Sequence, residues 1–350
     1  MTSQPSTLAD FHHALQESLP FGPGYPGRSG FMLSNHLPMA LHALHRLGAP
    51  RAVLDRHLGQ WRPRLLRVEA IDPSPPQDRP APDAPQERTS AYLQALQRLE
   101  LEADTVDDET LLSRHLPTLL EVPEASAFHG VIRVAHALQG GCRPELLRGL
   151  AAWESAARGR TDAAPLAPAP GARFDLRAKL AAARQDPGLH MSPRTGTSIV
   201  SDMVAARALP GFERHAAAFA PSLDDLAEAA LATYLATHDF TALHLLTGVH
   251  AARVVLSSTT LDDATRGHAL GRLGRAWLAA WVSIGAPAPD WALVRAGSAS
   301  EDDWQMAKPV LFASSDDHVI KLADAAREEW RHRRWPGYAR CLPAAVRTES

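Results

Sequence analysis

The sequence predicts a mainly α protein: a single helical-bundle-like domain over residues 1–350 with long Pro-rich connections. Three observations predict it. Apolar residues recur every three or four positions in six segments, the alternation that a half-buried strand requires is scarce, and prolines gather in two stretches. Such stretches can form neither a helix interior nor a central strand.

Taken in order, the N-terminal MTSQPSTLADFHHALQ lacks the basic-then-apolar order of a secretory leader. Phe21 to Gly30, FGPGYPGRSG, has no strand before it and no Gly-Lys-Ser/Thr ending, so it reads as an ordinary loop, with a flexible entrance loop as the alternative. The first periodic helix is Leu37 to Leu47. Ile71 to Gln86 carries six prolines in sixteen residues and is expected to be an extended connection (71–86). A second helix, Glu124 to Leu138, is stopped by Gly140 and Gly141. Thr161 to Ala172, with Pro165, Pro168 and Pro170 among alanines, is the second connection (161–172). Four more helices follow: Leu223 to Leu235, Thr241 to Leu256, Asp262 to Ile284 with two acidic residues in its first turn, and Asp317 to Trp330 with Ser315 before it. The apolar run Ala276 to Ile284 is too short to span a membrane and holds two tryptophans, so it reads as buried helix.

With 36 Lys+Arg against 39 Asp+Glu the formal charge is −3, and no basic tract overrules that balance. Nucleic acid and anionic membrane are therefore not expected as partners. Cys142 and Cys341 are too few for a disulfide framework or a cysteine zinc site, which fits a reducing, cytoplasmic setting. Oligomeric state is not legible.

Seventeen histidines is a high number for this length, and several stand inside apolar helices. His36 lies in SNHLPMAL, His129 in FHGVIRVAH, His244 in LHLLTGVHAAR and His318 in DDHVIKLADAA, each at or near a helix start. His129 and His136 are seven apart and can face one interior site. His244 and His250 are six apart and point about 120° apart, which keeps them from sharing an ion. The same arithmetic turns His42 and His45 away from His36 and assigns them to an exposed face. A lone helical histidine is more often a hydrogen-bonded structural side chain than a ligand, and no His-Glu-x-x-His or Cys-x-x-Cys motif raises the odds. Lys321, between Ile320 and Leu322 and three residues from His318, is either a snorkelling lysine or a desolvated amine. In the second case it loses its charge readily and can take up carbon dioxide as a carbamate, an anionic oxygen ligand.

These four motifs, in this order, resemble the questin oxidase-like family, and the resemblance runs from about Phe21 to Trp335. It implies an iron centre held by His36, His129, His244, His318 and carboxylated Lys321, acting on anthraquinone-type polyketides by oxidative ring opening. His136 and His250 would then be pocket residues with catalytic roles beside Arg253. Imidazoles suit iron, and a carboxylate-like oxygen supports its higher oxidation states. Asp316 and Asp317 either orient an imidazole or cap the helix, the cap being preferred for at least one.

The expected function is thus an Fe(II)-dependent oxygenase using dioxygen on a small polycyclic aromatic substrate. A Baeyer–Villiger version would need NADPH, for which no dinucleotide fingerprint is present. The competing readings are a helical binding or scaffold protein with structural histidines, and a zinc-dependent hydrolase. Six of the eight tryptophans, from Trp277 onward, are expected mainly in the core, and Arg133 and Arg253 either pair with a phenolate or form plain salt bridges.

Overall fold

The computed structural model describes residues 4–26, 32–68, 85–160, 174–192, 198–217 and 219–343. The helices are α1 (Leu8–Ser18), α2 (Leu37–Arg46), α3 (Arg51–Trp61), α4 (Pro85–Ala103), α5 (Asp108–Leu119), α6 (His129–Gly140), α7 (Arg143–Ala157) and α8 (Leu176–Gln185). They continue with α9 (Ile199–Arg207), α10 (Phe212–Ala216), α11 (Leu223–Thr237), α12 (Phe240–Ser257), α13 (Asp263–Ser283), α14 (Trp291–Arg295), α15 (Glu301–Ala313) and α16 (Asp317–Arg333). All six helices expected from periodicity are present, and the protein is mainly α.

Local chemistry sets their ends. Asp239, Asp262 and Asp316 each accept backbone N–H bonds from the first turns of α12, α13 and α16, satisfying donors that a helix start leaves bare. Gly141, at φ 59°, closes α6 in the left-handed region.

Four helices from distant parts of the chain form a closed ring: α2 packs on α6, α6 on α12, α12 on α16, and α16 back on α2. Close approach depends on two glycines. A Cβ on Gly130 would stand 2.4 Å from the Trp153 ring, where α6 meets α7, and one on Gly248 would stand 3.0 Å from Phe128. By length and composition α12 could cross a membrane, yet 83% of it is buried inside the protein. It is a core helix, apolar because other helices surround it.

Other departures have local causes. The second helix begins at His129, not Glu124, because Ser126, Ala127 and Phe128 all adopt positive φ of 55–65°, which no right-handed helix contains. Within Phe21 to Gly30, Gly24–Pro26 pairs antiparallel with Met32–Ser34 as β1 and β2; the segment is partly a hairpin arm, not only a loop. The Pro-rich connections lie outside the described residues, except that Pro85 and Gln86 already belong to α4. Both cysteines are free. The tryptophans take the core role: Trp277, Trp281 and Trp304 are fully buried, and Trp304 stacks on Trp330.

Candidate metal centre

The four ring helices deliver histidines to the interior at their N-terminal ends. His36 is the residue before α2, His129 the first of α6, His244 lies one turn into α12, and His318 is the second residue of α16. The rings converge. His36 and His129 stack with centroids 4.6 Å apart, His36 meets His318 edge-on at 4.6 Å, and His244 lies 5.0 Å from His129 and 5.3 Å from His318. Ligating atoms of His36, His129 and His318 all fall within 4.8 Å of one another.

What each Nδ1 touches fixes what each Nε2 can do. His129 Nδ1 donates to the Ser126 carbonyl at 2.5 Å, and His244 Nδ1 to the Phe240 carbonyl at 2.8 Å. A carbonyl only accepts, so the proton sits on Nδ1 and the lone pair on Nε2. His36 Nδ1 lies 3.0 Å from Asp317 Oδ2, and His318 Nδ1 lies 3.4 Å from Asp316 Oδ1. Asp316 is also the helix cap, accepting from the His318 backbone N–H at 2.9 Å. Both readings of the acidic pair hold: one residue caps, the other orients. The turn at Ser126 is itself held, its hydroxyl receiving Arg88 and facing Ser34, both at 2.8 Å.

The result is two lone pairs face to face, His36 Nε2 and His129 Nε2, 2.7 Å apart. Without a shared proton that contact is repulsive, and a proton is disfavoured. Burial, with the neighbouring Lys321 and imidazoles, holds His36 and His129 well below the ordinary histidine value, and burial takes His244 to about 3. A cation resolves it: two nitrogens about 2.1 Å from one ion at right angles lie about 3 Å apart. The donor set therefore fits a transition-metal ion.

Lys321, one turn beyond His318, is 3% exposed and has no carboxylate within ion-pair distance among the described residues. Burial lowers its amine to about 8. At pH 7 about a tenth is then uncharged, far more than for an ordinary lysine, and this is the form that reacts with carbon dioxide.

His42 is not on an exposed face. It is 2% exposed, and His45 is half-buried, stacked on Phe11 and bonded to Ser6. The helical arithmetic was sound, but α2 is covered by α1, α3, α6 and α16, so turning from one site means turning toward another covered side. His136 likewise does not share His129's site; it faces His42, with the two Nδ1 atoms 2.7 Å apart. His250 Nδ1 and the Arg253 guanidinium both engage Glu329 at 3.0 Å. Arg133 is paired bidentately with Glu145. Both arginines thus form salt bridges. Sequence reasoning passed over Asp324, Glu329 and His57, the last 3.4 Å from Asp317. Asp324, three residues past Lys321 in an alanine-flanked run, was the readable signal.

The centre opens toward His318, whose side chain is 20% exposed, and toward Phe240, 52% exposed and edge-on to His244 and His318 at 4.6 and 4.7 Å. Beside His129 lies a cavity of about 10 Å³, room for about one water. A larger cavity of about 470 Å³ between α4, α5 and α7 carries none of these histidines.

A family model described as Questin oxidase-like matches residues 33–326. No curated protein matches the chain.

Proposed function

The chain belongs to the questin oxidase-like family, whose name marks an oxidoreductase, and from that premise we propose an Fe(II)-dependent oxygenase that opens or oxygenates a ring of a quinone or phenolic polyketide with dioxygen. The observation that carries the proposal is the convergence of four imidazoles, with Nδ1 atoms turned to oxygen acceptors and two bare Nε2 atoms 2.7 Å apart. His36, His129, His244 and His318 would hold the ion, and Lys321, carboxylated by carbon dioxide with loss of a proton, would supply an anionic oxygen. Iron bound there supplies the means to activate triplet dioxygen toward an aromatic ring, which no protein side chain offers alone.

The chain's own residues do the rest. Asp317 and the Ser126 carbonyl fix ring orientation and tautomer, the outer support that ligating histidines need. Phe240 offers a flat apolar face at the open side, where an aromatic substrate stacks edge-on or offset. The buried walls of the ring exclude water from the other sides. Arg253 and His250 are both engaged by Glu329 and are not placed here as groups touching the substrate.

The test is metal analysis of anaerobically purified protein, followed by dioxygen uptake when a hydroxyanthraquinone is added, with and without NADPH. Near-stoichiometric iron and substrate-dependent uptake are expected; a need for NADPH would select the Baeyer–Villiger version. Zinc-supported turnover without dioxygen use would replace the proposal with a hydrolase. A protein that binds the quinone but neither retains nor takes up metal would replace it with a binding role.

A further inference from the structure

A second group of side chains lies deeper in the same ring of helices. His42 on α2, His136 on α6 and Asp324 on α16 place ligating atoms within 4.8 Å of one another. His250 on α12 is close enough for its charge to act on all three. Each of these follows its counterpart in the first centre by six or seven residues: His36 and His42, His129 and His136, His244 and His250, His318 and Asp324. At 1.5 Å per residue the second layer lies about 9–10 Å along the helices, with Lys321 midway on α16.

From this geometry we infer that His42, His136 and Asp324, with His250 as a fourth donor, form a second binding site for a divalent first-row transition ion. Two imidazoles and one carboxylate are a donor set that such ions take. The outer supports are present: Arg46 Nε donates to Asp324 Oδ1 at 3.1 Å, and His250 Nδ1 faces Glu329 Oε1 at 3.0 Å, leaving His250 Nε2 its lone pair.

The competing account is a single hydrogen bond between His42 and His136, with the other groups as bystanders. It leaves too much unsatisfied. Among the described residues Asp324 Oδ2 and His250 Nε2 are buried with no hydrogen-bond partner, and such orphans in a folded interior are costly. One cation answers both orphans and the close Nδ1 pair together. The site does not depend on what the first centre binds. At about 9 Å the two ions cannot share a bridging oxygen, since paired metal sites are about 3.5–4 Å apart.

The experiment is an anaerobic Co(II) titration of metal-stripped full-length protein, with bound metal counted after desalting. His136→Gln and Asp324→Asn are each expected to bind one equivalent fewer than wild type, while His129→Gln loses the other equivalent. Unchanged uptake in both His136→Gln and Asp324→Asn overturns the second site; unchanged uptake in His129→Gln overturns the first centre instead. Should His136→Gln fail to fold by circular dichroism, the near-isosteric Asp324→Asn and an anomalous difference map of Co(II)-soaked wild-type crystals decide. A peak between His42, His136 and Asp324 is expected there, and its absence overturns the proposal.

Discussion

Lys321 shows how burial changes the chemistry of a single side chain. A solvent-exposed lysine holds its proton well above neutrality, whereas this one is brought to about 8 by desolvation. Lys321→Ala and Lys321→Arg should therefore both lower iron content and turnover, since a guanidinium stays charged and cannot be carboxylated. Bicarbonate should leave both variants unchanged, and formate or acetate should partly restore Lys321→Ala alone. Full iron and full activity in Lys321→Arg would end the carbamate assignment; an ordinary surface lysine would cost only about 0.5 kcal/mol of stability on replacement. At the mouth, Phe240→Ala removes an exposed aromatic face that packs edge-on against His244 and His318. A rise in KM of about two- to tenfold for an aromatic substrate, with kcat little changed, is expected, since the ring contributes about 0.5–1.5 kcal/mol of aromatic contact; steady-state kinetics separate the two constants. Sequence reached the four histidines and Lys321 through motif resemblance, and Asp317 only as one of two possibilities. His42 was misplaced because a helical wheel gives an angle to one neighbour and says nothing of what covers the opposite side.

Among the elements, α6 carries the heaviest constraints. It starts from three consecutive left-handed residues without glycine, each costing about 1–3 kcal/mol. It then presses Gly130 against Trp153, whose indole donates to the Val122 carbonyl at 3.1 Å. Gly130→Ala should destabilise the protein by about 1–3 kcal/mol as an overpacked contact and shift His129, so that denaturant midpoint and metal affinity fall together. An unchanged midpoint would show that α7 yields freely. The left-handed turn was not legible in the sequence. Ser, Ala and Phe carry no local signal for positive φ, and contacts from sequence-distant Ser34, Arg88 and Gly248 help to hold them there. The long helices were legible because their periodicity is a property of the segment itself; the hairpin was not, because its three-residue arms are too short for alternation to register.

Across the whole molecule, buried neutral imidazoles make stability depend on pH. In metal-free protein His244 has a folded value of about 3 against an ordinary 6.5, and His36, His42, His129 and His136 are lowered as well. Between those values the unfolded chain holds more protons than the folded one. Stability is therefore fully present above about pH 6.5 and drains away as pH falls toward 3, by at most about 1.4 kcal/mol per pH unit for each group. Lys321 acts with the same sign in a higher window: with a folded value near 8 against 10.5, it adds stability as pH rises from 8 to 10.5. Denaturant midpoints of chelator-treated protein should fall steeply from pH 6.5 to 4, and bound metal should flatten the fall. A flat profile without metal would mean that the imidazoles accept protons inside the fold.

The pairing of His36 with Asp317 spans 281 positions of sequence. During synthesis, α2 is made early and must wait for α16, so His36, His129 and His244 are all translated before the helix that completes their enclosure. Loading with the proposed ion would consequently be an event of the finished chain, and a ribosome-bound intermediate stalled before α16 should bind metal weakly and stay open to chaperones. Helices α2 and α16 would thus act as a clasp that keeps the early-made imidazoles from committing to an ion before the last of them has been built.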